Sequence, residues 1–243
     1  MKETMQTVLH VAKPGLKVSK RNFINLLLFF TFYTVLIIMG FDLLGNSKFA
    51  ILDLLFILLF IFGPTWFKAK GMQFQKISGD MWGFPAVVMN LHWPINGKLV
   101  VWKTLYIYFL SSIPFQLYML LMVYLFNPDI RGILEPGSYI AFALIWLSFG
   151  IYGGLAALSL EVVVYKIPSG KMISVLSVLL VILGIAVILF FPYIFENSIV
   201  GWSAILADRW SIASGIISII LAIVGLRYWS NKMTEHLYEV DYL

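Results

Sequence analysis

Six predominantly apolar runs, residues 23–41, 51–67, 99–126, 139–165, 172–195 and 210–229, occupy more than half of this 243-residue chain. A hydrocarbon core of about 30 Å is crossed by about 20 helical residues, with about 17–25 tolerated before tilt. The shortest run meets that floor, and the longest has residues to spare for a stretch at the interface. In lipid a backbone N–H or C=O finds no water, so each run is expected to be a helix. The composition, 61% hydrophobic and 12% charged, suits a chain whose solvent is mostly hydrocarbon. The predicted fold is an all-α membrane protein with six transmembrane helices and both termini cytoplasmic.

The loops set the orientation. With both termini inside, 14 of the 17 Lys and Arg residues lie on the cytoplasmic side, leaving only Lys48, Arg131 and Arg209 outside. That bias is the positive-inside signature. The net charge of +5 is then mostly an orientation device facing anionic membrane lipid. No basic cluster is dense enough for a nucleic-acid partner. The first run is long for a signal-peptide core and no A-x-A site follows it, so it is expected to be a retained span. Cysteine is absent, which excludes disulfides, thiolate chemistry and Cys-based metal sites. The Lys-rich, Cys-free composition fits a multi-pass protein of a bacterial cell (cytoplasmic) membrane.

Residues 23–243 read as one six-helix transmembrane domain, preceded by a basic segment, 1–22. In that segment Met5, Val8, Leu9 and Ala12 fall on one helical face. A helix in the headgroup plane and a plain basic tail both fit. The outer segments 42–50 and 127–138 are expected to do little more than turn the chain, the latter through Asn127-Pro128 and Pro136-Gly137. Segment 196–209 is different, because Ile199, Val200, Trp202, Ile205 and Leu206 are more apolar than a solvated loop needs. It reads as a short helix or re-entrant piece, the alternative being a loop with a Trp anchor. On the inner side, 68–98 is the sizeable loop. Gly150-x-x-x-Gly154 with Gly153, and the stripe Ser211, Gly215, Ser218 and Ala222, mark helix–helix seams. Whether the neighbour is the same chain or another copy stays open at this point.

Chemistry is scarce. There is no H-E-x-x-H, no G-x-S-x-G and no phosphate-binding loop ending in Gly-Lys-Ser/Thr. His10, His92 and His236 all lie outside the spans. No catalytic, cofactor-binding or metal-ligating residues are expected. Two acids stand near span ends, Asp53 and Glu161. Each reads as a carboxylate that snorkels or pairs with a nearby lysine such as Lys166, in preference to a proton relay.

The inner stretch Phe84-Pro85-Ala86-Val87-Val88-Met89-Asn90-Leu91-His92-Trp93-Pro94-Ile95-Asn96-Gly97-Lys98 puts a short apolar helix candidate where lipid does not demand one. An exposed apolar helix there calls for a partner surface. The pattern resembles the permease subunits of type-2 ABC exporters, which carry a leucine-proline-hydrophobic-small-Arg/Lys phrase just before the third span. Trp93 stands here where leucine is usual. The layout is similar along the whole chain, most like the small permeases of Gram-positive peptide exporters of the phenol-soluble-modulin type. The resemblance implies a fold of type-2 ABC exporter kind. It also implies that Phe84, Val87, Val88, Leu91 and His92 dock into an ATPase, with a lesser contact at Ile167 and Pro168. The rival reading of 84–92 is a helix lying on the membrane surface.

Further implications of the resemblance are two separate ATPase subunits holding ATP and Mg, and a second permease copy or related chain packed through the first and fifth spans. Aromatic and methionine side chains in the spans suit hydrophobic or amphipathic peptides, because such side chains repack around varied guests. Ser111, Ser112 and Gln116 around Pro114, with Glu161, are candidates for the translocation path. Pro114 fits a gating bend or a local kink equally. The alternative function is a six-span substrate-binding subunit of an importer, or a membrane sensor.

Overall fold

The computed structural model describes residues 20–42, 50–63, 75–78, 81–83, 97–161, 165–166 and 171–239. Each of the six apolar runs carries a helix: α1 (Lys20–Asp42), α2 (Ala50–Phe62), α3 (Gly97–Phe126), α5 (Pro136–Glu161), α6 (Lys171–Phe195) and α8 (Ser211–Glu239). Two shorter helices lie between them, α4 (Pro128–Ile133) and α7 (Ile199–Arg209). Among the described residues three helices are long and apolar enough to cross a membrane: Gly97–Phe126, Pro136–Ser159 and Ser211–Leu237. A fourth crossing is available if the bent pair Val181–Phe195 and Ile199–Arg209 counts as one broken span. The apolar parts of α1 and α2, Ile24–Gly40 and Ala50–Phe62, are shorter. The protein is therefore a largely helical, multi-pass membrane protein.

Three short strands add to the expected all-helical design. β1 (Gln75–Ser78) and β2 (Met81–Gly83) form a hairpin, and β2 pairs antiparallel with β3 (Tyr165–Lys166) through Met81↔Lys166 and Trp82↔Tyr165. A register shift between Lys76 and Ser78 bulges the edge. The sheet ties the segment after α2 to the segment after α5, so both leave the bundle at the same end. The opposite-side assignment of 42–50, 127–138 and 196–209 is compatible with that.

Local chemistry explains the boundaries. Residues 127–138, expected to be a turn, contain the one-and-a-half-turn helix α4. Asn127 caps it, its Oδ1 accepting from the Ile130 N–H at 2.8 Å, and Pro128 sits at the first position, where no amide donor is missed. The same Asn127 donates from Nδ2 to the Ile38 carbonyl, 3.3 Å away, pinning α4 to α1. Helix α5 begins at Pro136 itself, so the Pro136-Gly137 pair starts a helix instead of closing a turn. Helix α3 runs unbroken through Pro114. Helix α8 extends past the sixth apolar run to Glu239, and its last turns pack on the start of α3 through Met233 and Leu237 against Val100, Val101 and Leu105.

Helix α5 is the centre of the bundle. It packs against α2, α3, α7 and, most extensively, α8. One apolar cluster joins α1, α2, α3, α5 and α7 around Phe30, Phe56, Phe60, Met119, Phe142 and Val200. Phe30 stacks on Phe115 with ring centres 5.0 Å apart, and the Trp146 ring lies 4.7 Å from Phe56. A second cluster, at the sheet end, holds Tyr108, Leu155 and Leu158 with the α8 tail. Helix α6 stands apart, with α2 its main neighbour.

Candidate functional site

An acid buried in the first turn of an apolar helix is costly unless something neutralises it, several kcal/mol per ion in a dry environment. Asp53 occupies that position in α2 and is 0% exposed. Its partners are backbone amides: the Ile199 N–H donates to Oδ2 and the Val200 N–H to Oδ1, each at 2.8 Å. These are two of the orphan donors at the N-terminus of α7, where the helix dipole also favours negative charge. Asp53 lies in the first turn of its own helix as well, so two positive helix ends converge on one carboxylate. The expectation that Asp53 snorkels or pairs with a lysine is thus corrected. A carboxylate too deep to reach water takes the strongest donors at hand, and those are the amides of a broken helix.

The break itself is built locally. Helix α6 stops at Phe195 and α7 leaves at 54°. Between them Glu196 adopts φ 60°, the left-handed conformation that turns a chain sharply. Asn197 Oδ1 accepts from the Ser198 N–H at 2.8 Å, and Ser198 caps α7 by accepting from the Gly201 N–H at 2.9 Å. With Asp53 on Ile199 and Val200, the first three amides of α7 all have acceptors. Further along, Trp146 Nε1 donates to Ser203 Oγ at 3.0 Å, and that hydroxyl donates to the Val200 carbonyl at 2.7 Å. Val200, Ser203 and Ala207 form the buried face, at helical spacing. The sequence reading of 196–209 as a short helix or re-entrant piece, and not a loop, agrees with this.

The two glycine seams belong to this chain. Tyr108 donates from its hydroxyl to the Gly150 carbonyl at 2.9 Å, and Gly154 leaves the space that the same hydroxyl fills. A Cβ at Gly153 would sit 2.8 Å from Ile61 of α2. On α8, Gly215 faces Leu144 and Gly225 faces Tyr152, so the small-residue stripe seats α5.

The candidate path residues separate. Ser112 and Gln116 are both fully buried within the bundle, one turn apart on α3. Gln116 Nε2 donates to the Phe60 carbonyl at 3.0 Å, while Gln116 Oε1 and Ser112 Oγ have no hydrogen-bond partner. Ser111 is half-buried and donates to the Tyr108 carbonyl at 3.1 Å. Glu161 is the last residue of α5, and its side chain lies outside the described residues. So do the coupling candidates Phe84, Val87, Val88, Leu91, His92, Ile167 and Pro168, and residues 1–19 of the N-terminal segment. The strands that precede the two candidate stretches are paired with each other. β2 ends at Gly83, just before Phe84, and its partner β3 ends at Lys166, just before Ile167.

Two features here escaped sequence reasoning, the Asp53 clamp and the Tyr108 socket. The clamp had a signal, an acid near a span end together with the Asn197-Ser198 capping pair at the same end of the chain's topology. Among the described residues no three His, Cys, Asp or Glu side chains converge as a metal would require. No family model matches the chain, and neither the curated proteins nor the solved structures supply a match.

Proposed function

We propose that this chain is the six-span permease subunit of an ATP-driven exporter of the type-2 ABC kind, moving hydrophobic or amphipathic peptides, or lipid-like molecules, out through a bacterial cell membrane. ATP and Mg are held by two separate ATPase subunits, and the permease works beside a second copy or a related chain. The observation that carries the transport reading is the break between α6 and α7. Buried irregular backbone is tolerated only where other groups satisfy its N–H and C=O. Here Asp53, Asn197 and Ser198 are spent on satisfying it. A chain that merely anchors has no use for such a break, whereas one that opens a passage does.

Three other features support this reading. Both stretches assigned to ATPase contact directly follow paired strands of one small sheet. Helix α6 is apolar on every described face beyond Leu179, and α1 exposes Leu28, Phe32 and Met39. Those two helices would form the face toward the second permease. The 84–103 phrase carries the resemblance to exporters, with Leu91 in the docking face that the resemblance implies.

The test is to extract the protein from its native membrane in mild detergent and identify what accompanies it. An ATPase at two copies per two permeases is expected. Leu91→Asp should abolish ATPase association and the stimulation of its turnover. A protein that purifies without an ATPase, with Leu91→Asp indistinguishable from the parent, overturns the proposal.

A further inference from the structure

We infer that Asp53 is the latch of a gate: its carboxylate holds the re-entrant helix α7 in the bundle, and releasing it lets α7 swing on the 196–198 hinge and open that end of the protein. This deepens the transport reading and rests on it for its purpose, though not for its geometry.

Helix α7 is hung between two joints. At one end stands the 54° bend with Glu196 at positive φ. At the other, Trp210 links α7 to α8, its N–H donating to the Leu206 carbonyl and its carbonyl accepting from Ser214. Among the described residues three polar ties hold α7: the Asp53 carboxylate, the Trp146–Ser203 bond, and Trp202 Nε1, which donates to the Phe195 carbonyl of α6 at 3.2 Å across the bend. The flank toward α4 is loosely filled. An open cleft of about 370 Å³ lies there, its lining including Ile130, Ile133, Leu134, Val200, Ala204 and Asp208. Room to move exists on one side; on the other α7 is held by the charged Asp53 contact, the Trp146–Ser203 bond and its buried face of Val200, Ser203 and Ala207. One carboxylate accepts both leading amides, so weakening that group loosens both bonds at once, and helix α2 carries the group.

A plain capping role predicts general loosening when Asp53 is replaced, whereas a latch predicts loosening of α7 alone. Because the chain has no cysteine, a single introduced thiol reports without background. The experiment uses the full chain in lipid vesicles and a membrane-impermeant maleimide. One reporter is Ala207→Cys on the buried face of α7, and the control is Leu155→Cys in the separate cluster of α5 with α8; both positions are fully buried. D53N, which keeps the shape but loses the charge, is expected to speed labelling at the Ala207→Cys position at least tenfold and to leave the Leu155→Cys rate unchanged. Equal rates at Ala207→Cys with and without D53N overturn the latch, and so does a rise at both reporters. If D53N does not yield folded protein, D53E, which keeps the charge but displaces the oxygens, is read in the same way. Labelling needs neither ATPase nor substrate. A positive result with no export activity leaves the latch standing and removes the transport reading, while export with unchanged labelling removes the latch alone.

Discussion

Helices α5 and α6 are nearly equal in length, 26 and 25 residues, and both are strongly apolar. Yet α5 is the hub of the bundle and α6 is largely bare, with Phe190 63% and Ile194 70% exposed. In water an exposed helix of this kind would be a defect, but in lipid apolarity carries no information about burial. What separates the two is the distribution of small and hydrogen-bonding residues. Helix α5 has Gly150, Gly153 and Gly154 to admit neighbours, and Tyr139 and Trp146 to bond across the seams. Tyr139 reaches the Leu120 carbonyl at 2.5 Å, and Trp146 reaches Ser203. Helix α6 offers Gly184, which has nothing within 4 Å of where a side chain would start. Membrane helices associate through close backbone approach and polar ties, so these residues, not the apolar ones, mark the interior.

The sharpest way to test that contrast is to remove a tie. Asp53→Ala should cost about 3–6 kcal/mol, since it deletes two charge-assisted bonds worth about 1.5–3 kcal/mol each. Thermal unfolding in detergent, followed by circular dichroism, would read it. Parent-like stability would mean that water or another group caps α7 equally well. Next comes one substitution made in both helices. Gly154→Ala drives a methyl into the Tyr108 hydroxyl and should destabilise by about 1–3 kcal/mol, the range of overpacked cores. Gly184→Ala should be neutral or gain up to about 1 kcal/mol from helix propensity. Similar losses at the two sites would erase the distinction between the helices.

A smaller effect, about 1 kcal/mol, is expected for Trp146→Phe, which keeps the ring against Phe56 but drops the bond to Ser203. Smaller still is Ser112→Ala. Its hydroxyl is buried without a partner, so its removal should be neutral or mildly stabilising. A loss above about 1 kcal/mol would instead point to a bound water holding that group. Leu183→Ala on α6 should leave the single chain's stability within about 0.5 kcal/mol. If α6 faces a second permease, Leu183→Cys should form an oxidative cross-link between copies in membranes, and failure to cross-link would speak against that face.

How much could be read beforehand follows the same division. The six apolar runs located six helices to within a few residues at most ends, because a backbone in hydrocarbon has one economical solution. The glycine pattern marked the seams of α5 and α8. The apolar set in 196–209 marked a helix where a loop was the alternative. The boundary at Pro136 was read as a turn because Pro-Gly fits both a turn and a first helical position, and only the chain beyond decides between them. Asp53 was read as a group near water because sequence distance from a span end says nothing of what covers it.

The sequence by itself determined that this protein lives in a membrane, that its chain is a series of helices, and which of their positions admit close neighbours. Those properties follow from local composition acting against a single solvent. Tertiary structure alone decided which helix is central, which is bare, and where a buried charge finds its partner. Asp53 and the α7 amides are 146 and 147 residues apart, and no local rule pairs groups so distant. Packing brought two helix ends to one place, and the field of those ends made that place fit for a carboxylate.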